Sequence, residues 1–178
     1  MYLNHNQITQ LVRYGHMRNT DNDCINPASL DVRLGQDVMI EVDQGGVVDY
    51  QSRQPLNMQK VRMGADGLIV HPGQFFLAHT IEVCNFPDDM GALFRIKSSM
   101  GRIGLEHMDA GWIDPGFHGS LTLEFKNMTQ HHSIRVRPGD RIGQLVFIRG
   151  QAVEEHQSYR GNGNYNGHDT VAQIGYKP

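Results

Sequence analysis

No apolar run in the 178-residue sequence is long enough to cross a bilayer. The opening residues, MYLNHNQITQ, lack the basic start and apolar core of a secretory signal, so the expected location is the cytoplasm. Positive charge is not in excess either. The 16 Lys and Arg are outnumbered by 19 Asp and Glu, for a net charge of -3. The basic footprint of proteins that grip nucleic acid polymers is therefore missing. Cysteine is scarce: Cys24 and Cys84 are far apart, form no CxxC pair, and would stay reduced in the cytoplasm. The ten histidines include no HExxH, and no HxxxH on a convincing helix. His131 and His132 are adjacent in a loop, while His107, His118 and His168 are isolated in sequence. The expectation is no structural zinc and no metal held by protein ligands. There is no internal repeat and no second domain.

Glycine and proline, by contrast, are frequent. Twenty glycines and seven prolines separate short alternating runs, which is the rhythm of an all-β sandwich or barrel. One helix is expected, over about residues 6–14, from the spacing of Ile8, Leu11 and Val12 before Gly15. NPASLDVRLG and VMIEV (near 38–42) read as two strands. Residues 43–66 are polar and weakly patterned, a long hairpin or surface arm. GLIVHPGQFFLAHTIEVCNF reads as strand, Pro-Gly turn, strand; GALFRIK is a further strand. HSIRVRPGDRIGQLVFIRG reads as two strands joined by a Pro-Gly-Asp turn. After residue 154 the pattern collapses into a Gly/Asn-rich tail, which composition alone predicts to be mobile.

Three stretches carry candidate chemistry. In IDPGFHGSLTLEF, Leu121, Leu123 and Phe125 alternate with Thr122, Glu124 and Lys126, a strand with one buried face. Glutamate is a poor strand residue, so Glu124 is either a wet-face residue on an edge strand or something more. SSMGR presents Ser98, Ser99, Gly101 and Arg102 together. It is either an ordinary turn, or the start of a short helix capped by Ser98 or Ser99, or a phosphate-holding turn. Asp114 precedes a Pro-Gly pair, which is common turn chemistry. The tail, with Tyr159, Arg160, Asn164, Tyr165 and His168, is either disordered or a flap over a ligand.

Taken in order, NPASLDVRLG, PGQFFLAHTIEV, KSSMGRIGL, AGWIDPGFHGSLTLEF, RPGDRIGQLVF and the Tyr-containing tail resemble the dCTP deaminase family of the trimeric dUTPase-like superfamily. The similarity covers roughly residues 25–35 and 72–168. Its most discriminating piece is IDPGF followed by TLEF, because plain dUTPases share the Asp-containing turn but lack the glutamate in the next strand. The resemblance implies an all-β fold, a distorted jelly-roll-like β-barrel with a short N-terminal helix. Residues 1–154 would form the barrel and residues 155–178 a flap. It implies a homotrimer with active sites between subunits, and dCTP as substrate. Lys97, Ser98, Ser99, Met100, Gly101 and Arg102 map onto the phosphate-binding turn. Ala110, Trp112, Ile113 and Asp114 map onto the nucleoside pocket with Thr122, Leu123 and Glu124. Tyr159, Asn164 and His168 map onto the flap.

By the same resemblance Glu124 is the general base, with Arg102 holding it ionised and Ser98 orienting the water or the leaving group. The zinc deaminase signature H-x-E…P-C-x-x-C is missing, and a carboxylate base needs no metal. Mg²⁺ would arrive on the triphosphate, held by phosphate oxygens and water. Some members continue to dUMP and pyrophosphate, and Asp114 would then activate the second water. Two departures stand out. Lys97 replaces an arginine, losing the bidentate fork. The flap lacks its usual lysine, for which Arg160 is the available substitute. The alternatives are a plain dUTPase and a non-catalytic nucleotide-binding module on the same fold.

Overall fold

The computed structural model describes residues 1–43 and 45–172. The expected arm at 43–66 and flap at 155–178 therefore each fall partly outside the described residues. The elements run α1 (His5–Arg13), β1 (Met17–Arg18), β2 (Leu30–Glu41), β3 (Met58–Arg62), β4 (Leu68–Val70) and β5 (Phe75–Asn85). They continue with β6 (Met90–Ile96), α2 (Ser98–Arg102), β7 (Leu105–His107), β8 (Trp112–Ile113), β9 (His118–Asn127), β10 (Ile134–Val136), β11 (Arg141–Arg149) and α3 (Tyr159–Asn162).

The expected helix is α1. Asn4 caps it by accepting from Gln7 N, Gln7 returns the bond to Asn4 N, and Ile8 and Leu11 are buried. Nine of the strands form one antiparallel sheet in the order β7-β9-β5-β2-β11-β6-β8, with β1 added to β5 and β3 to β2. The sheet curls into a half-barrel. Its two ends approach through the segment between β7 and β8, where Met108 N donates to Glu124 O (3.0 Å) and Phe94 N to Gly111 O (2.8 Å). Inside lie Phe76, Phe86, Phe94, Phe125 and Phe147, all fully buried. On this account the all-β expectation and the short helix hold.

Several local expectations change. The two strands read over residues 30–42 are one bent strand, β2. Its first half pairs with β11 and its second with β5 and β3, with a register shift between Leu34 and Val38. At the bend, a Cβ on Gly35 would sit 2.2 Å from His79 Nε2, so glycine there lets the buried imidazole pack against the strand. Burial pushes the His79 pKa below its ordinary value, so the ring packs in its neutral form. Gly35→Ala is expected to lower stability by roughly 1–3 kcal/mol through overpacking, read as a lower denaturation midpoint at unchanged slope. β4 and β10 do not pair with the strands that follow them but with each other, as a separate two-stranded ribbon. The polar arm leaves β2, returns as β3, and is closed by Val42 N to Asn57 O (3.0 Å). Neither serine caps α2: Lys97 holds the N-cap position and no side chain makes a capping bond.

Candidate active site

β9 carries Glu124 through the sheet interior. Leu77 of β5 is its partner on one side, and β7 pairs on the other through His107↔Phe125. The edge-strand reading of Glu124 is therefore wrong, since β9 has neighbours on both sides. The alternation holds: Leu121, Leu123 and Phe125 are buried, and Thr122, Glu124 and Lys126 are half-exposed. The Glu124 side chain is 30% exposed.

Past His107 the chain leaves β9. Asp109 adopts a left-handed conformation (φ 61°), tolerated by aspartate, and Arg95 Nη1 holds its carboxylate at 2.6 Å. A Cβ on Gly111 would lie 2.6 Å from Phe94 O, so the bare backbone fits against β6. The departure opens a cavity of about 580 Å³. Ala110, Trp112, Ile113 and Asp114 line one wall, and Thr122, Leu123 and Glu124 line another. Leu77 and Phe94 add apolar surface.

Two further walls complete the cavity, and only the tail was read from the sequence. Val48, Leu56 and Met58 bring the arm over the cavity. From the tail come Tyr159 and His168, which the resemblance maps onto the flap, and Tyr165. The tail docks on the body through specific bonds. Ser158 Oγ donates to Asp88 (2.6 Å) and Tyr159 N to Pro115 O (3.1 Å). Ser120 N donates to His168 O (2.7 Å) and Ala172 N to Thr122 Oγ1 (3.0 Å). The Tyr159 ring lies 5.8 Å from that of Phe117. Burial, and to a lesser degree the Asp114 charge, raise its phenol above the ordinary value, leaving a neutral O–H at the cavity.

Glu124 has one close neighbour that sequence reasoning passed over. His107 Nε2 lies 3.4 Å from Glu124 Oε2, and neither atom has a hydrogen-bond partner of good geometry among the described residues. The imidazole is packed against Phe94 (4.6 Å between centroids) and Phe125 (5.7 Å). Its place was recoverable, because Leu105 and His107 are two apart in a strand and share its buried face.

The SSMGR turn stands apart from this cavity. Ser98, Ser99, Gly101 and Arg102 are exposed, Met100 packs on the core, and none of the five lines the cavity. Lys97 points inward: its ammonium meets Asp31, which is 1% exposed and also accepts from Asn26 (2.8 Å). Arg160 donates to Phe86 O (3.0 Å), and Asn164 is exposed and off the cavity. One copy of the chain thus brings together Glu124, Asp114, Thr122 and the tail, but not Ser98 and Arg102.

The dCTP deaminase-like family model matches residues 2–150. A dUMP-forming dCTP deaminase of Methanosphaerula palustris is 39% identical over 144 residues, covering 80% of this chain and 77% of its own. One from Persephonella marina is 37% identical over 164 residues, 90% of each chain. Among solved structures, a 2'-deoxycytidine 5'-triphosphate deaminase from Agrobacterium tumefaciens superposes with a TM-score of 0.68 at 27% identity. That match covers 88% of this chain and 50% of the Agrobacterium chain, so this protein spans about half of that one's length. A dUTPase of the Staphylococcus aureus phage phi11, at TM-score 0.51 and 15% identity, shares the fold. The glutamate-bearing strand behind an Asp-Pro-Gly turn and the match over most of the sequence agree, and the chain belongs to the dCTP deaminase-like family.

Proposed function

We propose that the protein deaminates dCTP to dUTP and ammonia, and then hydrolyses the bound dUTP to dUMP and pyrophosphate. The observation that carries this reading is the Glu124 carboxylate on the wall of a half-closed cavity, between the Ala110–Asp114 segment and the docked tail. Glu124 takes a proton from water as the oxygen attacks C4 of the cytosine. Glu124 returns that proton to the ring nitrogen, then takes the second one from the hydroxyl now on C4 and passes it to the amino group, so that the C4–N bond breaks and ammonia leaves. The apolar walls keep other water away, and His107 packs beside the carboxylate. In the second step Asp114 takes the proton of a water that attacks the α-phosphorus.

The exposed Ser98 and Arg102 belong, in this reading, to a neighbouring copy's cavity. The working unit is a homotrimer in which each α2 turn meets the next subunit's Glu124. The triphosphate lies on that turn and brings its Mg²⁺, held by phosphate oxygens and water. Lys97 fixes the turn through Asp31, and Arg102 supplies the charge that receives the phosphates. Residues 155–178 act as a flap, with Tyr159, Arg160, Asn164 and His168 approaching the nucleotide as it closes over the 1–154 body.

Incubation with dCTP, dUTP or dCMP and Mg²⁺, with ammonia and pyrophosphate followed separately, tests the reading. Ammonia from dCTP, followed by pyrophosphate and dUMP, is expected. Pyrophosphate from dUTP with no ammonia from dCTP would make the protein a plain dUTPase. Binding with neither product would make it a non-catalytic module.

A further inference from the structure

We propose that Trp112 is a positioning residue for Asp114, and that its indole N–H serves the pyrophosphate-releasing step. The inference rests on the reading of Asp114 given above. Trp112 and Ile113 pair with Leu93 and Ala92 of β6. Directly after them the chain turns: Phe117 N donates to Asp114 O (3.2 Å) across Pro115 and Gly116, the glycine at φ 82°. That turn fixes the backbone of Asp114 but not its side chain. An exposed aspartate is ordinarily free to change rotamer. Here the indole Nε1 of Trp112 donates to Asp114 Oδ1 at 2.8 Å.

Trp112 is 56% exposed, and one edge of its indole packs against β6. It lies beside Gly91 of β6, where an added Cβ would sit 3.6 Å from the ring carbon Cζ2 and 2.8 Å from Ile113 O. A side chain at residue 91 would push the short β8 strand off the sheet and carry the indole with it. Position is thus passed from Gly91 to β8, from β8 to the indole, and from the indole to one carboxylate oxygen. An indole has one N–H to give, so the other Asp114 oxygen remains for a water. Glu124 sits on a different element, β9, with His107 Nε2 3.4 Å from its Oε2. The two carboxylates sit on different elements with different neighbours, so the two half-reactions can be separated by substitution.

Hydrolysis of dUTP joins a water oxygen to the α-phosphorus and breaks the bond from that phosphorus to the bridging oxygen. Pyrophosphate leaves with the electron pair, and Asp114 receives the water's proton. A carboxylate held in one rotamer presents its free oxygen to that water on every turnover, and an unheld one does so only part of the time.

The test is Trp112→Phe, which keeps an aromatic ring and removes the N–H. The kcat for pyrophosphate release from dUTP should fall about tenfold, the scale of a hydrogen bond to a charged group, with a smaller change in KM for dUTP. Ammonia release from dCTP should fall less than pyrophosphate release, and dUTP should accumulate. Trp112→His, which restores a ring N–H, should recover part of the loss. In an Asp114→Asn background, Trp112→Phe should have no further effect. Equal losses in ammonia and pyrophosphate would show that Trp112 only walls the pocket, and undiminished pyrophosphate release would remove the positioning role. If Asp114→Asn alone leaves pyrophosphate release intact, the role of Asp114 fails and the role of Trp112 fails with it.

Discussion

Glu124→Gln is expected to lower ammonia release from dCTP by about a hundredfold to ten-thousandfold, the usual contribution of a general acid–base group. The amide keeps the side chain's size and much of its hydrogen bonding but cannot accept the water's proton. Nucleotide binding should survive, because the cavity walls from Ala110 to Asp114 and from the tail are untouched. Hydrolysis of added dUTP should be affected far less, since its water is assigned to Asp114. The comparison is made on one preparation, with ammonia and pyrophosphate measured from dCTP and dUTP in parallel and dCTP affinity by calorimetry. Near-normal ammonia release would remove Glu124 from the mechanism.

A second large effect follows from the separation of the α2 turn from the cavity within one chain. Arg102→Ala and Glu124→Gln homotrimers should each be nearly inactive. Co-refolded in equal amounts they should regain activity, because an interface that takes Glu124 from one chain and Arg102 from the other is intact. Random assembly of such a shared site leaves about a quarter of the interfaces whole, so recovery should approach that share of the unsubstituted activity. If the mixture stays inactive while mixed trimers are demonstrably present, Arg102 and Glu124 do not meet across a subunit boundary.

The sequence was most legible where one element carries its own pattern. The α1 helix lies within a residue of its periodic signal, and its Asn4–Gln7 box is local chemistry. The alternation of β9 was also plain, and the two-faced burial of residues 121–126 agrees with it. Pairing was not legible, because it depends on distant segments. Nothing near Glu124 says that Leu77 lies beside it, or that β7 closes its other side, and so an interior strand read as an edge. The break seen between Leu34 and Val38 is a change of partner within one strand, visible only once β11 and β5 are in position. Gly35 gave no warning that it makes room for a histidine 44 places later in the chain, since a steric vacancy has no local signature.

The candidate site divides in the same way. Glu124 drew notice as a charge in a strand, and Asp114 as a turn residue beside a Pro-Gly pair; both line the cavity. His107 drew none, because one histidine among short strands is more often core than chemistry, and its importance is purely spatial. Lys97 was placed with the phosphate-binding residues from its neighbours in sequence, yet its ammonium is engaged by the buried Asp31 from β2. The tail's composition suggests mobility, and the bonds that residues 158–172 make to Asp88, Pro115, Ser120 and Thr122 could not be read from it. Hydrogen bonds to a preformed surface can hold a segment that has little apolar area to bury.

The central claim is a cytosine held with C4 facing Glu124 while a neighbouring subunit holds the phosphates. A crystal structure of the Glu124→Gln protein with dCTP and Mg²⁺ tests it most directly. The account predicts the base between the Thr122–Leu123 strand and the Ala110–Ile113 segment, a water between C4 and the substituted side chain, and the triphosphate on Ser98, Ser99 and Arg102 of the adjacent copy. A base bound outside this cavity, or phosphates held without the α2 turn of a second chain, would contradict it.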